Sequence, residues 1–277
     1  MEPQKVNILK LFEAQLEEGK SLFEDLTRKI RSKKAISLEE KLFFFQTFLE
    51  LLGKIHFKQK TLRLTLFSPF DLIFRNTKKI HHIKLIEQQL HQYQETMEET
   101  YLSYSEEIEK HKKSIYNDVF DVTIAAPLKI WEDLYLTVYN YSKNLTPLEL
   151  NTASTQIINE EIGFSKFDIK NEPDPQSIKN VYESLQKIIL LERIRMSGGL
   201  NPVFTLPAHE KISSLTQAKY AWYQNHLFYQ HFTYYLRDKE AVEKKYLSLA
   251  KHAKKHHKAL TKEVVKLRDG LFSKVFQ

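Results

Sequence analysis

The stretch DPQSIKNVYESLQKIILLERIRMSGG, residues 174–199, decides the fold class. Asp174 is a capping residue and Pro175 suits the first helical position, where a missing N–H costs nothing. Ile178, Val181, Tyr182, Leu185, Ile188 and Ile189 then recur at the spacing of one helix face. Ser197-Gly198-Gly199, followed by Pro202, is a stop, because glycine accepts the left-handed backbone that ends a helix. Start, period and stop together specify an amphipathic α-helix.

The same signals recur on both sides. Pro207 opens a helix carrying Ile212, Leu215, Trp222, Tyr229, Phe232 and Leu236, and a last helix runs from about Lys239 to near the C-terminus. Upstream, Thr146-Pro147-Leu148-Glu149 opens a short helix to about Glu161, and Gly163 to Pro173 has no period and reads as a loop. Nearer the start, Leu9, Phe12, Leu16, Phe23, Leu26 and Ile30 form one helical stripe. Ser37-Leu38-Glu39-Glu40 has the form of a capping box and predicts a helix to about Phe67. Ser68-Pro69-Phe70-Asp71 predicts the start of a long helix to about Lys110, with Ile73, Thr77, Ile80, Ile83, Glu87 and Leu90 holding its period. A further helix covers roughly Lys112 to Tyr141, kinked or split at Pro127.

That makes about eight helices and an all-α chain. A break near Asn144–Pro147 divides them into residues 1–143 and 147–277, two antiparallel four-helix-bundle halves joined by short connections. From Lys41 to His81-His82 is 40 to 41 residues, and from Lys179 to Trp222–Gln224 is 43 to 45, the spacing of a duplicated unit or of two unrelated hairpins of similar length.

Composition agrees. Six glycines and eight prolines in 277 residues are few enough for long helices, and 42% hydrophobic residues along the whole length can build a core. Cysteine is absent, which excludes disulfides, thiolate metal sites and a cysteine nucleophile. No run approaches the 18 apolar residues of a membrane span, and Met-Glu-Pro-Gln-Lys lacks the features of a signal peptide, so the expected location is the cytoplasm. No Gly-x-Ser-x-Gly and no phosphate-cradling glycine loop occurs. His252 and His256 are four apart but sit among lysines, which repel a metal cation. The reading is a non-enzyme with no catalytic residue, no metal site and no cofactor.

Several of these segments together resemble the conserved histidine α-helical domain (CHAD) family. Asp174 to Tyr182 resembles the second copy of that family's first motif, with Lys179 where the family has histidine and Lys187 as the basic residue beside Tyr182 and Gln186. In the first half Lys41 takes the histidine position, and Phe44 and Phe48 take cation positions. Phe70 to Ile83 resembles the second motif, with His81 and His82 in its basic–acidic pair, and Ala221-Trp222-Tyr223-Gln224 resembles its second copy. The resemblance implies two four-helix halves related by a pseudo-twofold axis, and inorganic polyphosphate or another polyanion as ligand in a basic groove. Since the defining positions hold Phe, Tyr, Ile and Gln, the alternative it implies is a helical scaffold or protein-interaction module without the anion site.

Charge bears on the ligand independently. The net charge is +7, and the excess lies in clusters. Lys251, Lys254, Lys255, Lys258 and Lys262 share one helical face beside His256 and His257. Lys54, Lys58, Lys60 and Arg63 form a second cluster, and Lys78, Lys79, His81, His82 and Lys84 a third. Point charges of this kind attract a linear polyanion without reading sequence, so polyphosphate fits better than nucleic acid; each cluster is equally a solvated helix face. The helix holding Tyr220, Trp222, Tyr223, Phe228, Tyr229, Phe232, Tyr234 and Tyr235 is read as core, with a partner surface as the other possibility.

Overall fold

A computed structural model of the chain describes residues 8–56, 62–167, 175–237 and 239–274. Among the described residues there are nine α-helices and no strand: α1 (Ile8–Arg28), α2 (Ser32–Ile55), α3 (Leu62–Met97), α4 (Leu102–Ala125), α5 (Lys129–Ser142), α6 (Pro147–Phe167), α7 (Pro175–Ser197), α8 (Leu206–Arg237) and α9 (Lys244–Lys274). The all-α class is therefore as the sequence indicates, with one helix more than counted.

Local signals set several of the boundaries. Thr146 and Glu149 cap each other at the start of α6: the Glu149 carboxylate accepts from the Thr146 N–H at 2.9 Å, and Thr146 Oγ1 accepts from the Glu149 N–H at 3.3 Å. Pro127 separates α4 from α5. α7 ends in a Schellman turn, with Gly199 at φ 79° and the Leu200 N–H donating to the Arg195 carbonyl at 3.0 Å.

Other boundaries differ from expectation. Ser37 lies inside α2, which begins at Ser32 after Arg31 turns extended, so the apparent capping box caps nothing. Glu39 of the same stretch instead reaches a distant histidine, His81. Pro69 lies inside α3, not at its start. The helix persists there because Phe67, Phe70 and Phe74 on both sides of the proline are buried, and their packing outweighs one lost backbone bond. α3 stops at Met97, well short of Lys110, where Glu98 takes the left-handed conformation at φ 52° and the Glu99 N–H returns to Gln94 at 3.2 Å. The fully buried Tyr101 and Tyr104 anchor the chain just beyond that turn. α6 continues through Gly163 to Phe167, so the loop expected from residue 163 is helical as far as it is described; residues 168–174, including the cap Asp174, lie outside the described residues. α9 begins at Lys244, five residues later than Lys239.

Buried side chains from all nine helices form one connected apolar cluster. Phe23, Phe45 and Phe70 surround Trp131, with ring centroids 5.6, 6.0 and 5.1 Å from it, so α1, α2, α3 and α5 meet on one indole. Gly19 permits this approach: a Cβ there would lie 3.2 Å from both the Phe45 and the Trp131 rings. Phe44 and Phe48 pack against Phe12 with tilted rings inside the same core, so they line no groove. Toward the C-terminus α6 packs on α2 and α7, α8 on α3 and α7, and α9 on α8.

Polar anchors hold α7. Arg195, 5% exposed, donates to the Asn151 carbonyl and side chain, Ser154 and Thr155 of α6, and to the Asn201 carbonyl. Glu192, 1% exposed, accepts the Val203 N–H at 2.9 and 3.0 Å.

Two substitutions test this packing by urea unfolding. Trp131→Ala lowers stability by about 3–5 kcal/mol, as for other buried aromatics. Arg195→Met leaves the polar groups of α6 and the loop without donors and costs about 3 kcal/mol.

Candidate functional site

Four of the basic positions singled out in the sequence, Lys78, His81, His82 and Lys179, lie along a seam where α3 faces α2, α7 and α8. His81 Nδ1 lies 2.8 Å from Glu39 of α2, and His82 Nε2 lies 2.8 Å from the Tyr223 hydroxyl of α8. Lys78 sits 3.8 Å from Glu183 of α7 and 4.5 Å over the Phe74 ring. Tyr182 stacks on Tyr223 with centroids 6.3 Å apart, and its hydroxyl accepts from Gln186 at 2.8 Å. Lys179 is half-buried close by and repels a proton from His82. Burial above all, then His81, Lys179 and Lys78, pushes His82 down to about 4. Burial first, then Glu183 and Glu39, pushes Tyr223 up to about 12. At neutral pH this part of the seam is a neutral histidine hydrogen-bonded to a neutral tyrosine.

The flanking cations are answered by carboxylates. Lys41 reaches Glu18 at 2.5 Å and Gln15 at 2.9 Å. Lys54 reaches Glu160 at 2.6 Å, and Lys84 reaches Glu87 at 3.2 Å. Lys187 bridges Glu161 at 2.6 Å and Glu50 at 3.2 Å, tying α7 to α6 and α2. A polyanion entering here would have to displace these carboxylates. Lys79 is exposed on α3. Lys58, Lys60 and the side chain of Arg63 lie outside the described residues.

The outer face of α9 is different. Lys251, Lys254, Lys255, Lys258 and Lys262 are all exposed, and none forms an ion pair among the described residues. An open groove of about 570 Å³ runs along one edge of this face, between α3 and α9, lined by Gln89, Gln92, Glu95, Thr96, His252 and Lys255. The inner face of α9 carries the histidines. His256 Nδ1 lies 2.9 Å from the Tyr93 hydroxyl, and the His252 ring stands edge-on to Tyr93 at 5.3 Å. His257 and His226 pack beside Trp222, whose indole N–H donates to Thr261 at 3.0 Å. No group of three metal-ligating side chains occurs among the described residues, and no described helix is long and apolar enough to cross a membrane.

Sequence reading missed the buried polar residues Glu192, Arg195, Lys219 and Asn225. Each sits singly in an ordinary helical pattern, so no local signal separates it from an exposed polar residue. Comparison of the chain with protein-family models, with curated proteins and with solved structures finds no match.

The histidines set a pH dependence. Burial, with a neighbouring histidine as second cause, pushes His226 and His231 down to about 4 and lowers His256 and His257. The unfolded chain therefore takes up protons before the folded one does. The contribution of these histidines to stability is full above their ordinary value of 6.5 and is lost as pH falls from there toward about 4. Thermal midpoints between pH 7.5 and 4.5 should fall steadily, about as these values dictate, and less steeply in His226→Phe. A flat profile would contradict the burial of these rings.

Proposed function

We propose that the chain is a divergent, non-catalytic relative of the conserved histidine α-helical domain that binds an anionic polymer, inorganic polyphosphate before nucleic acid, on the outer face of α9. One observation carries this reading. Lys251, Lys254, Lys255 and Lys258 are exposed on one face without carboxylate partners among the described residues, whereas Lys41, Lys54, Lys78, His81 and Lys187 in and around the seam each have one. A helix face of unpaired lysines meets successive phosphates as point charges and releases their counterions. Tyr246 and Phe272 of α9 are both buried, so the face offers no Phe, Tyr or Trp platform on which bases could stack. That supports polyphosphate over single-stranded nucleic acid.

The test is polarisation of a labelled polyphosphate chain titrated with the protein at several salt concentrations. Four phosphate contacts give a slope of log affinity against log salt near about −3. Replacing Lys251, Lys254, Lys255 and Lys258 by Glu abolishes binding, while Lys41→Glu and Lys187→Glu leave the slope unchanged. Absence of binding at low salt refutes the proposal.

A second reading, a protein-interaction module, is favoured by a separate observation. Ile124, Leu128, Leu136 and Tyr139 are 41–56% exposed around the α4–α5 connection. Light scattering across a concentration series tests it through self-association, which Leu128→Lys with Leu136→Lys should remove.

A further inference from the structure

Lys219 of α8 is 1% exposed. Its Nζ makes one hydrogen bond, a long 3.5 Å contact to the Ile178 carbonyl in the first turn of α7, and no carboxylate reaches it among the described residues. Arg268 of α9 is 7% exposed, and the carboxylate it meets, Asp269 at 3.0 Å, belongs to the next residue and is itself 55% exposed. Lys219 and Arg268 line the same small cavity, with Ser177, Ile178 and Val181 of α7 and Val264 of α9. Its volume is about 10 Å³, room for one water-sized centre. Among the described residues these two are the ionisable groups on its wall.

Two basic side chains converging on one low-dielectric space repel each other, and each has lost water. Among the described residues the carboxylate at this end is Asp269, which meets Arg268 from an exposed position, and none reaches Lys219. The start of α7 adds the positive end of a 23-residue helix to the same wall. The other lining residues, Ser177, Ile178, Val181, Val264 and Val265, carry no charge.

We infer that this cavity binds one compact inorganic anion of about the size of chloride, held between the Lys219 ammonium and the Arg268 guanidinium beside Ser177. The volume admits a single atom-sized ligand and excludes the body of a phosphate. The site is independent of the α9 lysine face, because Lys219 is buried and belongs to another helix. Occupancy is coupled to a proton. Burial first, and Arg268 second, hold Lys219 down to about 6, so the amine is largely neutral at pH 7.5. The anion draws it into the ammonium form.

The experiment uses the full chain at pH 7.5 and constant ionic strength, with sodium gluconate replaced stepwise by sodium chloride or bromide. Gluconate is too large to enter. Chloride and bromide raise the thermal midpoint saturably, by about 2–4 °C at the top of the series. Calorimetry in buffers of different ionisation heat shows uptake of about one proton per chloride bound. Lys219→Met keeps the buried stem, folds at least as stably in gluconate, and loses both responses, while polyphosphate binding on α9 persists. An equal response to gluconate, absence of proton uptake, or a chloride response that survives in Lys219→Met overturns the inference. Should Lys219→Met not fold, the halide series and the proton count on the parent chain decide it alone.

Discussion

The contact of α3 with α8 is the constraint on which the rest depends, because it joins the N-terminal helices to the C-terminal ones through side chains that are at once packed and hydrogen-bonded. Tyr93 meets Phe228 at 5.0 Å and receives the amide of the fully buried Asn225, and burial holds its hydroxyl well above the usual phenol range. Eleven residues earlier on α3, His82 meets Tyr223. Beyond the turn at Glu98, Tyr104 of α4 extends the same surface onto His231 and Phe232 of α8. Apolar packing alone would tolerate a slide of one helical turn. These polar contacts do not, since a slide would orphan each of them in a low-dielectric interior. The register so fixed places α9, through its contact with α8, with its histidines inward and its lysines outward.

That placement sorts the basic residues into three populations. Along the seam, lysines meet carboxylates from other helices and hold α2, α6 and α7 together. On the outside of α9 they meet water. Beside the first turn of α7 two of them, Lys219 and Arg268, face each other across a small cavity. The first population is structural, since removing one partner leaves a carboxylate uncompensated. The second has its charge available at long range. The third is where charge is least compensated, and Lys219 responds by giving up its proton.

Neutral histidine is the counterpart. Buried rings beside tyrosine or tryptophan serve as flat packing surfaces with one polar edge, as in the stack of Trp222 on His226 at 4.7 Å. A helix crowded with aromatic and histidine residues is thus core on most of its circumference. Tyr234, 61% exposed, marks the outer edge of α8.

What the sequence determined by itself was local. The reciprocal cap of Thr146 and Glu149, the split at Pro127 and the glycine stop after Ser197 each rest on residues within a few positions of one another, and each stands where the sequence put it. Where a local signal competed with packing, packing prevailed: Ser37 and Pro69 lie inside helices whose buried phenylalanines favour continuation, and Glu98 takes a left-handed turn that its residue type does not announce. Charge was legible as clusters and not as pairs. Lys54 and Glu160 are 106 residues apart, Lys187 and Glu50 are 137 apart, and their meeting is decided by helix crossings that no window of sequence contains. The tertiary structure alone therefore decided which lysines are neutralised, which stand exposed on α9, and that Lys219 would be buried with no carboxylate among the described residues.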